Sequence, residues 1–337
     1  MTAQGESCPR TVRIVKRQQR FRGWRRVLVL AAALAALPGL AAPALAAPVH
    51  PLHRTPEGGF EELMVPSSMG PVKVQVQWAA HGGNGALYLL DGLRAREDFN
   101  AWTFETNALQ QFAQDNVTLV MPVGGQSSFY TDWRSPSSTN GQKVTYKWET
   151  FLTEELPAFL EGYGVSRTNN AIAGLSMGGS AALALAAYHR DQFKHASAFS
   201  GYLNISAPGM REAIRLAMLD AGRFNVDSMA EPWSPAWLRM DPFVFAPQLR
   251  NLPLFISASW GILGVHDDTE NRSAFNTVNA VALEALSMVN TVSFMARLNQ
   301  LGIKAHYSLP MRGTHSWGYW QDQLGIARPE ILAALGA

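Results

Sequence analysis

Two kinds of hydrophobic pattern alternate along the chain after residue 50. Residues 72–78 switch strictly between apolar and polar side chains, which predicts a strand at a sheet edge or with one half-buried face. Residues 86–90, 117–121, 171–174, 196–199 and 254–258 are short unbroken apolar runs, suited to parallel strands buried on both faces. Residues 60–65 and 305–309 add a first and a last strand. Between these runs the spacing becomes helical, over residues 104–115, 147–161, 177–188 and 273–300. In 147–161 the apolar positions are Trp148, Phe151, Leu152, Leu156, Phe159 and Leu160, one face of a 3.6-residue period. Strands alternating with helices predict an α/β architecture, a mostly parallel central sheet with helices on both faces. No repeat, low-complexity tract or linker interrupts this pattern, so residues 47–337 are predicted to form a single domain.

The first 46 residues follow another logic. Residues 10–26 hold eight Lys or Arg and no acid, residues 27–45 are almost wholly apolar, and Ala44-Leu45-Ala46 supplies a small-x-small cleavage point. This order predicts a cleaved secretory signal peptide over 1–46 and an exported, cell-envelope protein. Arg25-Arg26 beside the apolar run leaves both the general and the twin-arginine export routes open. The whole chain has 28 basic and 26 acidic residues; the leader takes 8 and 1 of them, leaving 20 and 25, a net charge of −5. A mildly acidic chain speaks against a nucleic-acid partner. The single cysteine, Cys8, falls in the leader, so no disulfide, thiol chemistry or cysteine metal site is expected after cleavage. The histidines are scattered, and neither a metal nor an organic cofactor is predicted. No unbroken apolar run of membrane-spanning length follows residue 50.

Residues 174–178 read Gly-Leu-Ser-Met-Gly, a G-x-S-x-G motif between a predicted strand and a predicted helix. That is the context of the nucleophile elbow of the α/β-hydrolase fold, in which a tight turn lifts the serine hydroxyl above the sheet. Ser176 is therefore the candidate nucleophile. A hydroxyl needs a base within hydrogen-bond reach, and the base needs a carboxylate to hold its tautomer. In this fold the base comes last in the chain. His315 stands in a short turn after the last predicted strand and fits; His189 and His195 lie too close to the elbow helix, and His306 lies inside a strand. For the acid, position after the 254–258 strand favours Asp267 or Asp268, with Glu270 and Glu284 as further candidates.

Five blocks carry a resemblance. They are Leu89-Leu90-Asp91-Gly92-Leu93-Arg94-Ala95, residues 120–130 (VMPVGGQSSFY), residues 146–153 (YKWETFLT), the elbow Gly174-Leu175-Ser176-Met177, and Gly313-Thr314-His315-Ser316-Trp317. In this order and spacing the chain resembles the antigen 85 family of mycolyltransferases. The resemblance implies an exported acyltransferase that moves mycoloyl groups between trehalose glycolipids or to cell-wall arabinogalactan, with diacylglycerol acyl transfer as a side activity and no cofactor. It places the nucleophile on Ser176 and the base on His315. It places the acid on Glu284, through the Leu283-Glu284 pair, against the two aspartates. It puts the oxyanion donors on the backbone N–H groups of Leu93 and Met177, and sugar contacts on Asp91, Arg94, Ser316 and Trp317. Three positions depart from the family: Ala258 stands where relatives carry a free cysteine, and Arg96 and Glu105 stand where common relatives carry amides. Asp91 and Arg94 would serve equally as a structural ion pair, Trp317 and Trp320 as core aromatics, and Phe129, Tyr130 and Trp133 as an acyl groove or a packed loop. The same catalytic set would serve a secreted esterase or lipase that uses water; a noncatalytic envelope-binding relative would lack it.

Overall fold

The computed structural model describes residues 55–267 and 273–337. The predicted leader, Asp268 and Glu270 lie outside the described residues. Eight strands form one sheet: β1 (Phe60–Val65), β2 (Val72–Gln77), β3 (Gly85–Leu90), β4 (Val117–Pro122), β5 (Asn170–Leu175), β6 (Phe193–Phe199), β7 (Leu254–Ser257) and β8 (His306–Ser308). Their order across the sheet is β1-β2-β4-β3-β5-β6-β7-β8. The first two pairings, β1 with β2 and β2 with β4, are antiparallel, and the other five are parallel. All eight predicted strands are present. The four longest described helices are α1 (Met177–Tyr188), α2 (Met210–Gly222), α3 (Ala274–Gln300) and α4 (Trp317–Leu335).

The unbroken apolar runs have a direct cause in the layering. In β3, Ala86, Tyr88 and Leu90 pack into the core on one face with α1 residues Ala182 and Leu183, together with Phe294 and Leu298 of α3. Leu87 and Leu89 pack on the other face with Trp320, Leu324, Ala327 and Ile331 of α4. Both faces of the strand are covered, so neither can be polar.

β2 is not an edge strand, since β1 covers that side, and its alternation is that of a half-buried strand, with Val72, Val74 and Val76 buried and Lys73 and Gln77 partly exposed. The polar side chain of Gln75 is nevertheless buried, because its Oε1 accepts from the Asn100 N–H at 3.0 Å and its Nε2 donates to Glu62 at 2.8 Å. Residues 104–115 hold only one helical turn, Ala108–Gln111, after a 3₁₀ turn at Ala101–Thr103. Here Thr103 and Thr106 hydroxyls donate to the Asn100 and Trp102 carbonyls, a local competition that stops a helix from propagating. Finally, α2 and α4 were not expected from the pattern. Helix α4 contains Gly318, Gly325 and Pro329, which read as breakers, yet it persists because residues 320, 324, 327, 331 and 335 bury one continuous stripe against the sheet.

Candidate active site

Strand β5 turns into α1 through a backbone with little room. Ser176 has φ 53° and ψ −121°, and it caps α1. A Cβ on Gly174 would lie 2.3 Å from the Gly178 carbonyl oxygen, and one on Gly178 would lie 2.3 Å from the Asp91 carbonyl oxygen. Only glycine allows strand β3, strand β5 and helix α1 to approach so closely. The strained serine is held by its own N–H, which donates to the Phe199 carbonyl of β6 at 2.8 Å. Its side chain opens into a cleft of about 650 Å³ at the carboxyl ends of the strands. His315 and Tyr202 line the same cleft.

His315 comes from the loop before α4, and its ring Nδ1 is 2.9 Å from Oε2 of Glu284 on α3. Glu284 is 1% exposed, so its charge must be met by partners. Its other oxygen, Oε1, accepts from the Ser259 N–H at 2.8 Å, the Ser259 hydroxyl at 3.0 Å and the Ser200 hydroxyl at 2.9 Å. Ser200 in turn accepts from the Trp320 indole N–H at 2.9 Å. The carboxylate is thus fully engaged, and it fixes the histidine tautomer with Nε2 left for the cleft. The His315 ring is also packed edge-on against Trp320, with centroids 4.9 Å apart, and stacked on Tyr202 at 6.2 Å.

The structure therefore brings Ser176, His315 and Glu284 to one place. Asp267 is elsewhere: its carboxylate accepts from Thr314, Tyr319 and the Gly264 N–H, not from His315. His195 is buried in β6, where burial pushes its pKa down to about 4 and Nε2 lies 2.9 Å from the Ser197 hydroxyl. Leu93 lines the cleft beside Ser176, and Met177 opens α1 immediately after it. The first-turn amides of a helix have no partner inside the helix, so the Met177 N–H is available to an oxyanion.

Asp91 is 1% exposed, and its carboxylate accepts from the Ala101 N–H at 3.0 Å. Burial, with the Glu105 charge adding to it, raises its pKa to about 7 against the opposing effect of that hydrogen bond. Arg94 pairs with Asp220 of α2 across the cleft mouth at 2.5 Å, not with Asp91. Ser316 caps α4 and lies 3.2 Å from the Thr314 hydroxyl. Trp317 lines the cleft and packs edge-on against Trp102 and Trp320. Tyr130 and Trp133 pack a loop: the Tyr130 hydroxyl accepts from the Asp91 N–H, and the Trp133 indole donates to the Ser128 carbonyl. Phe129 is buried at the cleft wall. The far wall is apolar, formed by Leu216 and Ala217 of α2 and by Phe275, Leu283 and Leu286 of α3.

Ser200, Ser259 and Tyr202 were not anticipated. Tyr202 is half-buried at the cleft, and desolvation, with the Glu284 charge adding to it, holds its phenol well above its ordinary pKa against the lowering effect of the Ser176 and Ser287 hydroxyls. The only local signal was Ser200-Gly201 directly after a buried strand, in the position where a chain must turn beneath the elbow.

Residues 67–331 match the Esterase family model. The chain is 42% identical over 318 residues to the diacylglycerol acyltransferase/mycolyltransferase Ag85C of Mycobacterium avium, covering 92% of this chain and 88% of that protein. It is 41% identical over 326 residues to Ag85B of Mycolicibacterium smegmatis, covering 93% of this chain and 96% of that protein. The crystal structure of Mycobacterium tuberculosis MPT51 (FbpC1) superposes with a TM-score of 0.71 at 31% identity, over 82% of this chain and 99% of that one. The serine hydrolase FphF of Staphylococcus aureus, 15% identical with a TM-score of 0.61, has the same fold.

Proposed function

The chain belongs to the antigen 85 family within the esterases of α/β-hydrolase fold, and from that premise we propose that it is an exported acyltransferase that moves mycoloyl groups between trehalose glycolipids or onto arabinogalactan. The observation that carries this reading is the 2.9 Å contact between His315 Nδ1 and the buried Glu284 carboxylate, at the cleft where Ser176 opens. In this reading residues 1–46 direct export and residues 47–337 are the catalytic domain.

Ser176 Oγ attacks the ester carbonyl of the donor while His315 Nε2 takes its proton. Glu284 stabilises the imidazolium. The N–H groups of Leu93 and Met177 hold the oxyanion of the tetrahedral intermediate. The intermediate collapses, the sugar alkoxide leaves with the proton from His315, and the acyl group remains on Ser176 as an ester. A second sugar hydroxyl enters, loses its proton to His315 and takes the acyl group, which restores the free serine. In this reading Leu216, Phe275, Leu283 and Leu286 of the cleft wall take the acyl chain, Asp91, Arg94 and Trp317 of the same cleft take the sugar, and Ser316, next to His315, is a further sugar contact.

The test is to incubate the leaderless protein with trehalose monomycolate and resolve the products. Trehalose dimycolate as the main product is expected. Free mycolic acid alone would make the protein a hydrolase with the same nucleophile, and no product from an intact chain would favour an envelope-binding role.

A further inference from the structure

The loop that carries His315, residues 311–316, is braced by the stretch from Ser259 to Asp267 that follows β7, and the two are joined along their length. Ile262 and Arg312 form a parallel bridge, the Gly313 N–H donates to the Ile262 carbonyl at 2.7 Å, and Arg312 Nη1 donates to the Leu263 carbonyl at 2.7 Å. At the end of the stretch, Asp267 closes the arrangement with both carboxylate oxygens. Oδ1 accepts from the Thr314 hydroxyl at 2.5 Å; Oδ2 accepts from the Tyr319 hydroxyl at 2.6 Å and from the Gly264 N–H at 2.8 Å. Thr314 is fully buried and is the residue before His315. Tyr319 lies in the first turn of α4, just after it. Asp267 therefore grips the chain on both sides of the histidine.

The other end of the same stretch is Ser259, whose N–H and hydroxyl both donate to Glu284 Oε1. One short segment thus contacts the carboxylate partner of His315 and the backbone that carries His315. We propose that Asp267 is a positioning residue that sets the place of the His315 ring, acting through Thr314, so that Nε2 meets Ser176 while Nδ1 stays on Glu284. This rests on the reading of Ser176 and His315 as acyl-transfer groups. The physical argument is one of tolerance: a nucleophile and base lose efficiency steeply when displaced by about 1 Å. The His315 loop has one main-chain anchor on α3, its own N–H to the Ala280 carbonyl at 3.1 Å. An anionic acceptor bonded to hydroxyl donors is a strong and directional second anchor.

The experiment measures acylation of the leaderless protein by a p-nitrophenyl ester of short chain, with Ser176→Ala as reference. Thr314→Val and Asp267→Ala are each expected to lower kcat by about tenfold with KM nearly unchanged. The double variant should be no slower than Asp267→Ala alone, because Thr314→Val removes a contact that Asp267→Ala has already broken. Thr314→Ser, which keeps the hydroxyl, should restore most of the rate. The downfield proton resonance of the His315–Glu284 hydrogen bond should broaden in Asp267→Ala and Thr314→Val and remain sharp in Thr314→Ser. Thermal melts identify a variant that has merely unfolded, in which case Thr314→Val against Thr314→Ser decides. Wild-type kcat and an unmoved resonance in Thr314→Val, with Ser176→Ala inactive, would overturn the proposal while leaving the acyltransferase reading standing. An active Ser176→Ala would instead remove the premise on which it rests.

Discussion

Asp91 illustrates how a residue can be placed correctly and yet have a character that sequence does not disclose. Its nearness to the elbow follows from the Leu-Leu-Asp-Gly block, but its burial depends on the Ala101 turn that folds over it. Burial raises its pKa from 3.8 to about 7, so the folded protein holds that proton more tightly than the unfolded chain does. Stability from this group is therefore fully present below the unfolded value and lost as pH rises through about 7. Replacing Asp91 with Asn should raise the melting temperature more at about pH 8 than at about pH 5; an equal change at both would show that Asp91 is ionised throughout. Ser176 and His315 were legible because a motif and chain order point to them. Glu284 was not legible from pattern, which favoured the aspartates after β7, since its carboxylate reaches His315 from within a long helix. Only the family resemblance singled it out. Ser200, Ser259 and Tyr202 were invisible for a related reason: their partners lie 25 to 120 residues away, or on another element altogether.

At the scale of elements, the strands were the most legible part of the chain, because burial on both faces leaves unbroken apolar runs. The helices were less so. Residues 104–115 have helical spacing, but Thr106 donates its hydroxyl to the Trp102 carbonyl and the preceding Thr103 donates to the Asn100 carbonyl. Residues 147–161 are helical as expected, yet Phe151–Glu155 widens into a π-helical turn just before Pro157, which has no N–H to donate. Helix α4 carries breaker residues and is held from outside, by its buried stripe and by side-chain hydrogen bonds such as Trp320 to Ser200 and Arg328 to Asp115. The elbow is the junction where element geometry is tightest, at Gly174 and equally at Gly178. A methyl group at Gly178 would meet the Asp91 carbonyl oxygen at 2.3 Å, so β3 and α1 would have to separate. Gly178→Ala should cost about 3 kcal/mol or more in a denaturant melt and should lower acylation as Ser176 moves. A loss under about 0.5 kcal/mol would mean that the junction is looser than these distances describe.

At the scale of the whole molecule, the strand order and the antiparallel pairing of β2 could not be read from local pattern, because they are set by which strands meet in space. What pattern did supply was the layer architecture, and that places the cleft: Ser176, His315 and Glu284 come from β5–α1, the loop after β8 and α3, and meet at one end of the sheet. Leu216 of α2 and Phe275 and Val278 of α3 are exposed apolar side chains, and Leu216 and Phe275 line the cleft. Such a molecule suits a lipid donor that enters with its acyl chain between the helices and its ester at Ser176. Passage of the acyl group through Ser176 is tested by intact-mass analysis after mixing with a trehalose mycolate donor. The expected result is a mass increase of one acyl group that maps to Ser176 in the wild-type protein, decays when trehalose is added, and is absent from Ser176→Ala. Turnover by Ser176→Ala, or an adduct on any other residue, would contradict it.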